Sequence, residues 1–296
     1  MGCDKNHEID VHISRNLHFI IQTLPMEVFG YLASLFIGIS LGLIGGGGSI
    51  LTVPVLVYLF GVNPVLATAY SLFVVGASSL VGAIPKYRQG LIHIKTAIIF
   101  GIPSILSVYA TRKFIVPQIP VELFSLGDFG VTKSVLMMVL FGLLMVLASY
   151  SMIRGKYEAV EPTRKEVEEV QVFNYPMILL EGTLVGVLTG LVGAGGGFLI
   201  IPALVMLSKL SMKKAIGTSL VIIAAKSLIG FTGDLGRQVM DWRLLGTVTA
   251  LAIVGIFVGD ALSKKLDGNK LKVGFGWFVL VMGIYILIQQ VVFPMK

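Results

Sequence analysis

The sequence predicts an all-α, polytopic integral membrane protein built from two homologous helical repeats, each opening on a segment that glycines interrupt. Three observations predict it. Of 296 residues, 55% are hydrophobic and only 13% charged, about half the charge that soluble domains carry. The apolar residues gather into eight segments, and the uninterrupted ones are long enough to cross ~30 Å of hydrocarbon as helices. The two halves of the chain also align on each other, without a gap, at a shift of 148 residues. A disordered chain is excluded by the abundance of Ile, Leu, Val and Phe. A collagen-like chain is excluded because the 35 glycines follow no Gly-X-Y period.

Residues 1–25 are polar, with Ile13, Leu17, Ile20 and Leu24 at helical spacing, the pattern of an amphipathic helix lying in the membrane interface. Three acidic residues in the first ten argue against a secretory signal. Asn6 stands where acylation of Gly2 would want Ser or Thr. The first repeat, 26–153, holds apolar segments at 26–60, 64–84, 92–114 and 131–153. A linker at 154–175 carries nine charged residues in 22, with Thr163 and Glu166 at capping-box spacing for a short surface helix. The second repeat, 176–296, holds segments at 176–209, 213–233, 241–263 and 270–293. This organisation places the protein in the cell membrane as a multi-pass chain whose first partner is the lipid bilayer.

The net charge of +7 is no sign of nucleic acid. Lys86, Arg88, Arg112, Lys113, Lys213, Lys214, Lys264, Lys265, Lys270 and Lys272 fall in short gaps between apolar segments, where membrane orientation requires cations. No basic patch with interleaved aromatics appears. Cys3 is the single cysteine, so neither a disulfide framework nor a cysteine-rich metal centre is available. The chain has no H-E-x-x-H and only His93 outside the N-terminal segment. An enzyme is therefore not expected, nor a cofactor or metal.

The repeat is clearest where the glycines run together. Gly38 to Pro54 (GISLGLIGGGGSILTVP) falls on Gly186 to Pro202 (GVLTGLVGAGGGFLIIP) with eight of 17 positions identical. Residues 67–82 fall on 215–230 with seven of 16 identical. Each helical glycine costs about 1 kcal/mol relative to alanine. A regular helix through Gly45, Gly46, Gly47 and Gly48, or through Gly193, Gly195, Gly196 and Gly197, is therefore not expected. Non-helical backbone inside a bilayer is tolerated only where it is buried in protein or lines a cavity. The helix that starts after each break, at Ser49 or Phe198, would aim unpartnered N–H groups and a positive dipole end at the gap, a site for an anion. Pro54 and Pro202 each remove one more backbone hydrogen bond from that second half-helix. The pairs Gly38/Gly42 and Gly186/Gly190 have the spacing of close helix packing. Neither glycine run fits a nucleotide-binding pattern.

The doubled G-x-x-x-G-L-[IV]-G-[GA]-G-G-[GS] segment ending in proline is followed by Ala69-Tyr70-Ser71-Leu72 in one half and Gly217-Thr218-Ser219-Leu220 in the other. It resembles the sulfite exporter TauE/SafE family over residues 28–293. The resemblance implies a permease for small sulfur-containing or organic anions such as sulfite or sulfonates. Tyr70 stands where the second half has Thr218, so the halves would not present identical hydroxyls.

Lys226 sits amid an apolar segment, where a charge costs roughly 2.5–3.5 kcal/mol, and its counterpart in the first half is Ser78. An anionic substrate is one counter-ion for it; Asp260, Glu181 or an interface reached by snorkelling are the alternatives. Ser49, Ser71, Thr218 and Ser219 are candidate donors to a sulfite or sulfonate oxygen. Proton exchange at Lys226 would couple anion passage to protons, and sodium is the other ion to test. Read as single crossings, the glycine-broken segments give eight crossings and parallel repeats. Read as hairpins, they give ten crossings and inverted repeats. The hairpin scheme places Lys and Arg other than Lys226 fourteen to eight, with both termini outside, and positive-inside bias favours it. The expected function is a secondary transporter of small anions working by alternating access. An anion channel, or a transporter of another small solute, is the alternative.

Overall fold

The computed structural model describes residues 27–126, 129–154, 175–206, 210–263 and 268–292. The expected amphipathic helix and the acylation site within 1–25 lie outside the described residues. So does the linker over 155–174, with the surface helix expected there. Among the described residues the chain forms ten helices, and their positions follow the apolar segments closely. They are α1 (Glu27–Ile44), α2 (Gly47–Leu59), α3 (Pro64–Arg88), α4 (Ile94–Gln118), α5 (Lys133–Arg154), α6 (Tyr175–Val192), α7 (Gly197–Met206), α8 (Met212–Thr232), α9 (Trp242–Ser263) and α10 (Gly268–Val292). Seven are long and apolar enough to cross a bilayer, and Gly47–Leu59 and Pro176–Val192 are shorter apolar helices. One element departs from the all-α expectation. Between α4 and α5 the chain folds into an antiparallel hairpin of β1 (Glu122–Leu126) and β2 (Phe129–Thr132), with Glu122 opposite Thr132.

Each interruption falls at glycine because backbone with positive φ is needed there, which residues with a Cβ rarely adopt. Gly45 ends α1 at φ 78°, and Gly193 follows α6 at φ 73°. Pro54 and Pro202 lie within the second arms, the half-helices they were expected to weaken. Pro54 leads into a π-helical turn at Val55–Leu59, and Pro202 is internal to α7. The first broken segment is a hairpin of two antiparallel arms. Gly48 in α2 packs on Ser40 and Leu41 of α1. Phe60, just past α2, covers Gly30, where a Cβ would come within 2.6 Å of its ring, and meets Tyr31 edge-on at 5.2 Å.

Helices 148 residues apart play matching parts but run in opposite directions. Against α8, Gly76 of α3 meets Leu228, and a Cβ on Gly82 would lie 3.8 Å from Leu220, so α3 and its counterpart cross antiparallel. The last helices of the two halves, α5 and α10, whose starts are 135 residues apart, also cross antiparallel: Gly142 meets Leu287 and Gly276 meets Met152. The small-residue pairs place the first arms. Gly38 and Gly42 let α1 lie along α9 at Ala252 and Ile256, and Gly186 and Gly190 let α6 lie along α4 at Ser104 and Thr111. Gly38, Gly42 and Gly186 meet backbone atoms there and Gly190 the Thr111 side chain, the close approach that small-xxx-small spacing permits. The core falls on α3 and α8, the most enclosed of the long helices. Large apolar side chains such as Leu106, Leu147, Val254 and Val281 point outward, a surface suited to lipid.

Helix starts are capped where the loops are shortest. The N–H of Val65 donates to Asn63 Oδ1 (2.9 Å) ahead of Pro64, and Asp241 Oδ1 accepts from the N–H groups of Arg243 and Leu244 (3.0 Å each). These side chains satisfy donors that the first turn leaves without carbonyls.

Candidate functional site

The two hairpins meet tip to tip. A Cβ on Gly46 would strike the Cα of Gly197, and one on Gly197 would lie 2.6 Å from the carbonyl oxygen of Gly46; both would press on Ile223 (2.8 and 2.6 Å). Each tip also leans on the third helix of the opposite half. Gly45 packs on Ile216 of α8, and Gly193 packs on Thr68 of α3. Positions 68 and 216 are themselves 148 apart, so one geometry is built twice. As the first residues of α2 and α7, Gly47 and Gly197 open helices whose leading N–H groups have no intrahelical carbonyl to donate to. The positive dipole ends of both arms thus converge where the tips touch.

The backbone paths differ. The first tip uses one left-handed glycine, Gly45, and then a 3₁₀ turn at Gly47–Leu51. At the second tip Gly193, Gly195 and Gly196 are all left-handed (φ 73°, 62° and 68°) before α7 begins.

Lys226 is fully buried on α8, at the second tip. Its Nζ donates to Thr189 Oγ1 at 3.2 Å, while that hydroxyl donates to the Val185 carbonyl at 2.7 Å. A Cβ on Gly196 would stand 2.6 Å from Nζ, so the absence of a side chain there lets the ammonium reach the glycine turn. Among the described residues no carboxylate lies within salt-bridge distance of Lys226. Asp260 pairs instead with Lys86, and Glu181 forms no ion pair there.

The serines and threonines divide by what already occupies them. Ser49 is buried and donates to the Gly46 carbonyl at 2.7 Å, and its Cβ is 3.3 Å from where a Cβ on Gly195 would stand, so it links the two tips. Ser71 is buried without a hydrogen-bond partner, whereas its counterpart Ser219 donates to the Ile216 carbonyl at 2.9 Å. Thr218 Oγ1 accepts from the N–H of His93 at 2.9 Å, and Tyr70 Oη accepts from the N–H of Asp241 at 2.5 Å. Positions 93 and 241 are also 148 apart, so these unlike hydroxyls anchor matching helix starts. The His93 ring accepts from the N–H of Thr96 at 3.3 Å; partial burial, then Lys214 and Lys95, hold its pKa below the ordinary histidine value.

The sequence reading missed Arg112 and its acid. The segment 92–114, with Arg112 and Lys113 at its end, does not close there. It continues to Gln118 as α4, and the turn carrying Arg112, Thr111–Ile115, is π-helical, a distortion frequent at functional sites. Arg112 is fully buried, not in a loop; its Nη1 donates to Thr68 Oγ1 at 3.0 Å and lies 3.4 Å from Asp234 Oδ2. Lys86, also expected between segments, is buried and 2.5 Å from Asp260 Oδ1. Under the 148-residue shift Lys86 maps to Asp234 and Arg112 to Asp260. The two ion pairs are one pair built twice with the charges exchanged, a signal that aligning the halves by charge would have exposed. Burial pushes the Asp234 carboxyl above its usual range, against Arg112, Arg237 and Lys133, which pull it down.

Removing one partner of a buried pair leaves an uncompensated charge, at about 3–5 kcal/mol, while removing both costs far less. Lys86→Met and Asp260→Asn should each therefore lower the melting temperature more than the double variant does. A double variant whose loss equals the sum of the singles would show that the two residues do not act as a pair.

Seven helices fit to cross a bilayer and two further apolar ones, folded around paired buried charges, make this a multi-pass membrane protein. Residues 31–286 match the family model described as sulfite exporter TauE/SafE, and the chain belongs to that family. Its relatives include a probable membrane transporter protein of Xylella fastidiosa (strain 9a5c), 29% identical over 85% of this chain and 91% of the relative. Another, from Methanocaldococcus jannaschii, is 26% identical over 93% of this chain and 99% of the relative. A third, YjnA of Bacillus subtilis, is 26% identical over 88% of this chain and all of the relative. No solved structure matches the chain. No group of three or more His, Cys, Asp or Glu side chains placed to hold a metal occurs among the described residues.

Proposed function

We propose that this protein is a secondary transporter of small oxyanions of the sulfite or sulfonate kind. The observation that carries the reading is Lys226, buried beside a glycine turn at the contact of two hairpin tips, with a hydroxyl rather than a carboxylate on its ammonium. A buried cation of this sort requires an anion, and the family name points to which kind.

In this proposal the repeats, 26–153 and 176–296, are inverted with respect to the bilayer and cross it ten times. The opposed directions of α3 and α8, and of α5 and α10, support that arrangement. Inverted repeats commonly place a substrate between broken helices near the midplane, and rocking of one bundle against the other opens the site to each side in turn. The glycine tips (Gly45–Gly48 and Gly193, Gly195–Gly197), with Lys226 and the hydroxyls of Ser49, Ser71, Thr218 and Ser219, form the proposed anion site.

Proteoliposomes test the reading. Uptake of sulfite, thiosulfate, sulfoacetate, taurine and simple carboxylates is measured with and without proton and sodium gradients. Saturable, counterflow-competent flux of at least one oxyanion is expected. Movement of a cation or a neutral solute alone would overturn the anion assignment, and currents without counterflow exchange would mean a channel.

A further inference from the structure

The proposed site need not be as symmetric as the repeats. Two fully buried cations border the second glycine turn. Lys226 Nζ stands 2.6 Å from where a Cβ on Gly196 would be, and Thr68, which accepts from Arg112, stands 2.5 Å from where a Cβ on Gly193 would be. Lys226 thus stands at the Gly196 end of the turn and Arg112, through Thr68, at the Gly193 end. Arg112 commits only part of its fork. Nη1 meets Thr68 and Asp234, while Nε and Nη2 are buried without a hydrogen-bond partner. Buried guanidinium nitrogens without acceptors are costly. The first tip lacks this arrangement, because the counterpart of Lys226 is Ser78 and that of Arg112 is Asp260, which pairs with Lys86.

We infer that the anion binds at the second hairpin tip alone, on the Nε and Nη2 donors of Arg112 at the Gly193 end of the turn, with Lys226 adding positive potential from the Gly196 end and Asp234 as the resident counter-ion it competes with. This rests on the anion-transport reading. The fork adds a specificity. A planar guanidinium engages two oxygens of one ligand, so a polyatomic oxyanion (sulfite, sulfonate or carboxylate) is selected over a monatomic anion such as chloride. Asp234 holds the guanidinium in place without consuming it, since it meets Nη1 and leaves Nε and Nη2 without a partner.

Sulfite binding to the purified full-length protein, followed by ligand-dependent thermal stabilisation in detergent, tests this. Arg112→Gln should weaken sulfite binding at least about tenfold, the scale of losing a charge-assisted bidentate contact. Arg112→Lys keeps the charge beside Asp234 and guards against misfolding; it should lose about tenfold for sulfite with little change for chloride. Asp234→Asn should bind sulfite as tightly as wild type or more so, and Arg112→Gln/Asp234→Asn should stay as weak as Arg112→Gln. Recovery of wild-type affinity in that double variant would make Arg112 a structural partner of Asp234 and overturn the inference. So would wild-type affinity in Arg112→Lys while Lys226→Met abolishes binding, and that result would leave the transport reading intact. A wild-type protein that neither binds nor moves any anion would remove both.

Discussion

Lys226→Met is expected to abolish anion transport and, at the same time, to raise the melting temperature. The side chain is wholly enclosed and meets a single hydroxyl. In the absence of anion its charge is therefore held at a cost, roughly 2.5–3.5 kcal/mol on the insertion scale for a mid-membrane lysine. Methionine fills nearly the same volume with no charge to desolvate, and cores accept such swaps readily. Function and stability should move in opposite directions: initial uptake should fall about a hundredfold, the scale of losing a buried charged contact of roughly 3 kcal/mol. Uptake in proteoliposomes and melting in detergent read the two effects separately. Wild-type uptake in the variant would remove Lys226 from the site. Lost uptake with a lowered melting temperature would instead assign the ammonium to the fold through Thr189.

Gly46→Ala should force the two tips apart and damage transport. The new methyl would meet the backbone of Gly197 and come within 2.8 Å of Ile223. Backbone cannot swing aside as a side chain can, so the tips must separate. Overpacking costs typically 1–3 kcal/mol, and here the strain falls on the surface where the arms converge. Transport should drop at least about tenfold, the equivalent of 1.4 kcal/mol in a binding or activation term. Gly246→Ala is the control. A Cβ at Gly246 in α9 would have nothing within 4 Å, and replacing a helical glycine removes a propensity cost of up to about 1 kcal/mol. Its uptake should match wild type. If Gly46→Ala melts and transports like Gly246→Ala, the tips do not meet as described.

Much of this architecture is legible in the sequence because hydrophobic spans and glycine interruptions are local signals. The helices begin and end within a few residues of the apolar segments, and both breaks fall at their glycines, where φ must be positive at Gly45 and Gly193. Small-residue spacing at Gly38/Gly42 and Gly186/Gly190 marks close packing, and Gly38, Gly42 and Gly186 do meet backbone atoms of the facing helix, Gly190 the Thr111 side chain. The β1–β2 hairpin was not legible. Its strands are four and five residues long and lie between two apolar segments, too short for alternation to stand out. Arg112 was hidden for a different reason. Thr111-Arg112-Lys113 at the end of an apolar run reads as an interfacial cluster, and only the packing of α4 against the second tip separates the buried Arg112 from exposed Lys113.

By itself the sequence determined that this chain belongs in a bilayer and where its helices must break, since each of these follows from side-chain polarity or backbone freedom read over a few residues. The tertiary structure alone decided that the matching helices run in opposite directions, that Gly46 meets Gly197, and which acid each buried base obtains. Those outcomes depend on residues more than a hundred positions apart arriving at one place. A one-dimensional pattern can show that Lys86 and Asp234, or Arg112 and Asp260, correspond, but only the crossing of the two halves turns that correspondence into two ion pairs of exchanged charge and, among the described residues, leaves Lys226 without an acid.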